Sequence, residues 1–534
     1  MDTTNPGTLD VYGKDRGLTP NLASLAAEGV VFDRAHSVVA ITLPSHISMM
    51  TGLYPLHHGV RDNGWSQLSG SAETLAERAS EAGFETAAFV AAIVLAAPYG
   101  LDQGFDVYDE PADGGGGSIS TMRERTSTAV TDQALEWLNS RDDERPFFLW
   151  VHYFDPHMPH VPGAEFAEQA NGNLYHGEVA TMDHDIGRLL NGLERSVGKQ
   201  GFFVAVAADH GESLGRHGEP SHSAFAYQST IHIPMLMRFP DGRRAGTRSD
   251  DVVSLVDLYP TFLEELQLGA AGDVDGLSLA AAPLPADRGV YVESYSGYLN
   301  YGWSPLAGWV DRNGKYLHSS SPEFYDLEND PAEEHNLIGV QELQLQPYRA
   351  ALEQLSRRGA LAATEGAALS EQALKDLRAL GYASGGDAYG SLPAPLDAST
   401  RPAPRERASQ YERFSRAVGL AQAGRNRPAI KLLRATLSEN PGNIYAAETL
   451  AGCLLQEQEH EEVVVLLSGL LARGEERYKI RAFLATALEN LGRLEEALEQ
   501  YRMAQVQRPT EPTIQAAIER TQSKLGVDGS NSSQ

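Results

Sequence analysis

The sequence predicts an α/β domain, a small antiparallel subdomain behind it, and an all-helical repeat region at the carboxyl end. Three observations carry that prediction. Apolar runs rich in β-formers alternate with amphipathic stretches through the first part of the chain, which argues for a sheet covered by helices. Farther on, Gly289 to Ser294 and Lys315 to Ser319 are short strand candidates separated by Gly- and Ser-rich turns, with no long helix between them. Beyond Ala408 the pattern is helical and repeats.

In chain order, Asn21 to Gly29 and Val179 to Leu193 read as helices, and Phe147 to Val151 and Phe202 to Ala207 as buried strands. From Ser384 to Ala408 the chain turns to Gly, Ser, Pro and Ala, which bury little and read as a linker. After it, Gly424 and Gly492 lie 68 residues apart, as do Ala429 and Ala497, with Val463 midway at 34. Leu433, Leu467 and Tyr501 share one phase of that period, and Leu450-Ala451 recurs as Leu484-Ala485. The period and these positions resemble three tetratricopeptide repeats over about Gln410 to Glu511 with a capping helix to Leu525; Arg416 stands where the first repeat expects Leu. The expected domains are therefore 1–384, a linker over 385–408, repeats with their cap over 409–525, and a disordered tail over 526–534.

Composition narrows the function. With 42% apolar and 22% charged residues the 534-residue chain is globular, neither disordered nor collagenous. Asp and Glu outnumber Lys and Arg by 72 to 43, and a formal charge of −29 repels a nucleic-acid backbone. The lone Cys453 forms no intrachain bridge, and no run reaches the ~18 apolar residues of a membrane span. No signal peptide is readable ahead of Met1-Asp2-Thr3-Thr4, so the sequence as written points to the cytoplasm, and to export or the periplasm if its amino terminus is truncated.

Thirteen of the sixteen histidines fall between His36 and His232, marking a polar site region. Ala207-Ala208-Asp209-His210-Gly211-Glu212 follows an apolar strand directly. Asp and His at the carboxyl end of a strand point into the crevice where α/β folds bind ligands, and together they offer a hard oxygen and an imidazole nitrogen to a divalent metal. A turn capped by Asp209 is the plainer alternative. In Ile41-Thr42-Leu43-Pro44-Ser45-His46, Pro44 and Ser45 suit the first turn of a helix, so the Thr42 hydroxyl would sit at its positive end, where backbone N–H groups favour an oxyanion. A plain capped helix start is the alternative there. Tyr301-Gly302-Trp303 and the aromatics near Tyr295 line a substrate entrance or pack a subdomain core, and the acidic stretch Glu457 to Glu462 reads as a solvated face.

The run Thr19-Pro20-Asn21-Leu22, Glu28-Gly29-Val30, Thr42-x-Pro44-Ser45, Gly52-Leu53-Tyr54-Pro55 and His58-Gly59-Val60 resembles the amino-terminal signature of the sulfatase family, within the alkaline phosphatase superfamily. Gly104-Phe105-Asp106, Asp155-Pro156-His157-x-Pro159, Tyr175-x-Gly177-Glu178 with Asp183, Asp209-His210-Gly211-Glu212, Val256-Asp257-Leu258 and Phe324-Tyr325-Asp326-Leu327 match it in order, over roughly Met1 to Ala383. The resemblance implies a mixed sheet between helices and a hydrolase or transferase of sulfate or phosphate esters that uses one or two divalent metals. It implies Asp2, Asp209 and His210 as metal ligands and Thr42 as both ligand and nucleophile. His157 and His222 match positions that hold ester oxygens or serve the leaving group, and His46 and Asn63 are substrate-binding candidates.

Departures refine these expectations. Sulfatases that convert their nucleophile to formylglycine need Cys or Ser at the head of a Cys/Ser-x-Pro-x-Arg motif, where this chain has Thr42 and His46. Thr cannot become the aldehyde, so activation of its hydroxyl by a metal is expected instead. Asp-rich ligands with one His favour Mn²⁺ or Zn²⁺ over Ca²⁺. Only Met1 stands where several apolar residues of a first strand should precede Asp2, and Gly7 stands where a second Asp often follows. A truncated chain, or one that has lost catalysis and serves as a scaffold whose repeats bind a protein partner, is the competing expectation.

Overall fold

The computed structural model describes residues 1–13, 16–64, 66–111, 124–141, 145–280, 283–339, 342–361, 364–365, 392–507 and 512–526. Part of the expected linker (385–391) and the tail beyond residue 526 lie outside the described residues. The chain forms two units: Met1–Tyr295 with Pro305–Thr364 and Ala394–Thr400, and Ser296–Ser304 with Glu365–Pro393 and Arg401–Gln534.

In the first unit, strands β1 (Val30–His36), β2 (Glu85–Phe89), β3 (Val107–Asp109), β4 (Phe147–Val151), β5 (Val204–Ala207), β6 (Met235–Arg238) and β7 (Thr247–Ser254) make two sheets, ordered β5-β6-β1-β7 and β3-β2-β4. β1 runs parallel to β7, with Val30 opposite Thr247, and antiparallel to β6, with Val30 opposite Met237. β2 runs parallel to both its neighbours. Helices α1 (Pro20–Glu28), α2 (Thr42–Thr51), α3 (Ser127–Ser140), α4 (Leu174–Val197) and α5 (Leu258–Glu265) complete the layers. Pro20 opens α1 at a position whose N–H has no helical partner in any case. Asn173 caps α4 by accepting from the His176 N–H. The buried Asp183 of α4 then accepts from the backbone N–H groups of Asn21 (3.0 Å) and Leu22 (2.8 Å), a carboxylate held at the positive end of α1. Val179, Met182 and Ile186 of α4 pack with Phe32, Met235 and Val253 of the sheet, and each side chain so buried contributes roughly 1.5–3 kcal/mol.

β4 and β5 turn free edges toward each other. Met1 lies at the carboxyl end of the gap and bonds as one residue of a parallel strand: its N–H groups donate to Ala207 O (3.1 Å) and its carbonyl accepts from Asp209 N (3.0 Å), while Asp2 N donates to Tyr153 O (2.9 Å). Behind Met1 the gap is a cavity of about 600 Å³ lined by Phe147, Leu149, Val151, Val204 and Val206 among others. These strand residues are only half-buried, unlike those of β6, which are fully buried.

A four-stranded antiparallel sheet follows, as expected: β8 (Gly289–Ser294), β9 (Leu306–Asp311), β10 (Lys315–His318) and β11 (Glu323–Tyr325), in the order β11-β10-β9-β8. Tyr291, Ala307, Tyr316 and Phe324 pack there with Tyr348 and Leu352 of the helix Gln346–Leu355.

Among the described residues the second unit holds the short helix α6 (Ser296–Tyr301) and seven more: α7 (Ala408–Gln422), α8 (Asn426–Glu439), α9 (Ile444–Gln456), α10 (His460–Leu471), α11 (Tyr478–Asn490), α12 (Leu494–Gln507) and α13 (Pro512–Leu525). These are three helical hairpins and a cap. Ala429, Val463 and Ala497 are all fully buried, as are Leu433 and Leu467, so the 34-residue phase is a packing phase. Arg416 is exposed, and Phe414 and Ala417 fill the buried positions beside it. Tyr301 and Trp303 differ from both expected settings: they are buried in this helical unit, because aromatic rings of α7 and α9 cover them. Among the described residues no helix is long and apolar enough to cross a membrane.

Candidate active site

The polar residues converge at the carboxyl ends of β4 and β5. Asp209 and His210 follow β5, and Asp2 follows the strand-like Met1, so two backbones that run in step deliver three side chains to one point. Asp2, Asp209 and His210 each offer a ligand atom, all within 4.8 Å of one another. His210 Nε2 stands 3.7 Å from Asp2 Oδ1 and 3.5 Å from Asp209 Oδ2.

Hydrogen bonds fix what each group offers. Asp209 Oδ1 accepts from the His210 N–H (2.6 Å), the local turn anticipated from sequence, which leaves Oδ2 for another partner. The His210 ring donates from Nδ1 to the Gly211 carbonyl (3.0 Å), so the lone pair sits on Nε2 and faces both carboxylates. Among the described residues, both Asp2 oxygens, Asp209 Oδ2, His210 Nε2 and the Thr42 hydroxyl are buried without a hydrogen-bond partner. Burial first, and then the Asp209 charge, push the Asp2 carboxyl well above the usual carboxylate range; burial lowers His210. Buried, unpaired acceptors around a single point fit a cation.

Thr42 is the first residue of α2, and Pro44 lies in its first turn, as the sequence predicts. The whole amino-terminal half of this helix is buried. Asn63 turns its Oδ1 to the Leu43 N–H (2.8 Å), fixing the helix start, while its buried Nδ2 keeps its donors open. His46 lies one turn into α2, donates from Nδ1 to the Thr42 carbonyl (2.8 Å), and stands 3.8 Å from Asp209 Oδ2. Burial brings its pKa down to about 4 against the pull of Asp209, so the ring is neutral at pH 7 and supplies no fixed positive charge.

His157 and His222 form a second group beside the first, their ring centroids 5.1 Å apart and His222 4.6 Å from His210. His157 donates from Nδ1 to the Met158 carbonyl (2.8 Å), and burial takes its pKa down to about 3, leaving a neutral ring with its lone pair on Nε2. His222 is different. Burial opposes its charge, but the Glu212 carboxylate, 3.4 Å from Nδ1, together with Glu219 and Asp209 outweighs burial and raises it. Ser221 also donates to Glu212 (3.2 Å).

Two residues of this site carry no role in the sequence reading. Glu212 belongs to the matched motif but shows its use only when His222 is seen against it. His152 stands 3.7 Å from Asp2 Oδ2 and forms a second possible ligand group with His46 and Asp209. Its Nδ1 accepts from the Ala91 N–H (3.4 Å), which places the ring proton on Nε2, facing the carboxylate beyond hydrogen-bond distance. It follows apolar β4 directly, the same signal that singles out Asp209.

Known protein families match most of the chain. Residues 1–268 match the sulfatase family, residues 217–357 the N-sulphoglucosamine sulphohydrolase C-terminal family, and residues 387–518 a tetratricopeptide repeat family. An N-acetylglucosamine-6-O-sulfatase of Bacteroides thetaiotaomicron is 23% identical over 453 residues, covering 62% of this chain and 80% of the relative. Arylsulfatase A of Homo sapiens is 24% identical, covering 63% and 82%. Among solved structures, a protein in complex with its substrate D-glucosamine-2-N,6-O-disulfate superposes with a TM-score of 0.58 at 22% identity, over 67% of this chain and 96% of the other. The phosphonate monoester hydrolase of Agrobacterium radiobacter gives 0.55 at 20% identity, over 67% and 94%.

Proposed function

The chain belongs to the sulfatase family and is an ester hydrolase of that family, and we propose that it attacks its ester with the Thr42 hydroxyl, with Asp2, Asp209 and His210 holding a divalent cation. The observation that carries this reading is the set of buried, unpartnered oxygens and one imidazole lone pair of those three residues, together with the buried, unpartnered hydroxyl of Thr42, whose own carbonyl is bonded to His46, 3.8 Å from Asp209 Oδ2. Mn²⁺ or Zn²⁺ suits two carboxylates and an imidazole better than Ca²⁺ does. Such a cation, when bound, offsets the carboxylate charges and acidifies a neighbouring hydroxyl.

The protein's own groups divide the remaining work. The amino-terminal N–H groups of α2 and the open Nδ2 donors of Asn63 face negative charge with favourable dipoles. His157, neutral with a lone pair on Nε2, accepts a proton. His222, whose pKa lies above the usual imidazole value beside Glu212, donates one to an ester or leaving-group oxygen. His46 acts through another group by tying the Thr42 carbonyl, while the His152 ring faces Asp2 across 3.7 Å.

Sulfate esters are the substrates of the family. Because Thr42 cannot be converted to an aldehyde, we assign this chain a preference for aryl phosphonate or phosphodiester esters over aryl sulfates. The Mn²⁺- or Zn²⁺-loaded protein, assayed with matched aryl phosphonate and aryl sulfate esters, is expected to give the larger kcat/KM on the phosphonate. A larger kcat/KM on the sulfate would overturn the preference, and no turnover of either by a metal-binding protein would favour the scaffold reading.

A further inference from the structure

The repeats of the second unit hold a peptide-like segment of their own chain. In sequence, Ser296–Ser304 separates β8 from β9, yet it belongs to the helical unit: Leu299, Tyr301 and Trp303 are buried, and the two rings lie against those of α7 and α9. The Tyr301 ring lies 5.4 Å from Tyr411 and 5.6 Å from Phe414 of α7, and 6.5 Å from Tyr445 of α9, to which it is stacked at 19°. Trp303, fully buried, lies 5.9 Å from Tyr411.

Its backbone is recognised as well. The buried Asn440 donates from Nδ2 to the Tyr301 carbonyl (2.7 Å), Arg477 to the Leu299 carbonyl (2.5 Å), and Arg401 to the Tyr298 carbonyl (2.9 Å). These are carbonyls at the end of α6 that no further helical turn can satisfy, and two of the three donors are cations, as a helix carboxyl end favours. Gly302 has a left-handed φ of +69°, and a Cβ there would come within 2.7 Å of the Gly442 carbonyl, so the sequence at this point accepts glycine alone. Aromatic pockets for alternate side chains, main-chain carbonyls held by Asn and Arg, and a glycine required by close approach are the features of a peptide in a recognition groove.

We propose that the face formed by α7, α9 and the turns carrying Asn440 and Arg477 is a peptide-recognition groove already filled by the chain's own Tyr298-Leu299-Asn300-Tyr301-Gly302-Trp303. The partner this groove fits is a short Tyr-Gly-Trp segment that ends a helical turn, and a segment of that kind from outside binds only where the resident one leaves. This inference does not depend on the ester chemistry of the first unit.

The test uses the full chain and a fluorescent peptide with the sequence of residues 296–305. The Tyr301→Ala/Trp303→Ala double variant, with its groove emptied, is expected to bind this peptide about ten-fold or more tighter than the wild type, and Asn440→Ala added to it is expected to weaken binding by about ten-fold. Equal binding by wild type and double variant, or none by a double variant whose helical melting is retained, would overturn the proposal. If the double variant does not fold, Asn440→Ala alone decides by hydrogen exchange. It keeps every ring contact, and it is expected to speed exchange across 298–304 about ten-fold while leaving α11 unchanged. Unchanged exchange at 298–304 overturns the proposal.

Discussion

His210 Nε2 stands 3.7 Å from Asp2 Oδ1, and among the described residues neither atom has a hydrogen-bond partner. Two buried carboxylates and an unprotonated ring nitrogen therefore face one point, with the Met1 ammonium the nearby positive charge that acts on Asp2. Without metal this arrangement costs stability, because each group is desolvated and Asp2 is also repelled by Asp209. Asp2→Asn removes one charge at constant shape. It is expected to raise the melting temperature of the metal-free protein by a few degrees, and to abolish the further rise that Mn²⁺ or Zn²⁺ gives the wild type. Calorimetry with and without chelator reads both effects; a metal-dependent rise that survives Asp2→Asn contradicts the ligand assignment.

The gap between β4 and β5 makes a second expectation. Met1 already bonds to Ala207 and Asp209 as a parallel strand residue does, and the cavity behind it is lined by half-buried apolar side chains of both edges. Five Val- and Ile-rich residues placed ahead of Met1 continue that ladder and bury apolar surface worth roughly 1.5–3 kcal/mol per enclosed side chain, less the entropy of ordering them. The melting temperature is expected to rise by about 5 °C or more, whereas the same length of Gly and Ser leaves it unchanged. No difference between the two extensions would sink this reading of the gap.

Much of this was legible because the signals are local. Asp209-His210 follows an apolar strand, Pro44 marks a helix start two residues after Thr42, and the 34-residue phase places Ala429, Val463 and Ala497, all fully buried. His152 was within reach of the same rule, since it directly follows β4, but a lone His after a strand has no second ligand beside it in sequence. The protonation contrast between His157 and His222 was not legible, because it depends on Glu212 lying 3.4 Å from one ring only. Nor was the setting of Tyr301 and Trp303: buried aromatics look alike in sequence whichever core takes them, and here the deciding rings, Tyr411 and Tyr445, are more than a hundred residues away.

In the second unit, Glu489 of α11 accepts from Arg520 (2.7 Å), Lys524 (2.8 Å) and Tyr501 (3.0 Å), tying α11 to α12 and α13. The Arg520 bond, with Lys524 and Tyr501 adding to it against the opposing effect of burial, brings the Glu489 carboxyl down to about 2. A folded pKa below the unfolded value of roughly 4.3 means stability that is fully present above that value and is lost as pH falls toward 2. Exchange of α11 and α13 amides in the full chain, corrected for intrinsic rate, is expected to show less protection at pH 3 than at pH 5, and Glu489→Gln is expected to flatten that difference. An equal loss of protection in wild type and variant contradicts the assignment.

The account turns on Thr42 as the attacking group, and the direct measurement is turnover of an aryl phosphonate ester by metal-loaded wild type and Thr42→Ala, with metal content and melting measured on the same samples. Thr42→Ala removes the attacking oxygen and one potential metal contact while leaving Asp2, Asp209 and His210 in place. A fall in kcat of about 10³-fold or more is expected, with the fold retained and a cation still bound. Turnover by Thr42→Ala equal to that of the wild type would contradict it.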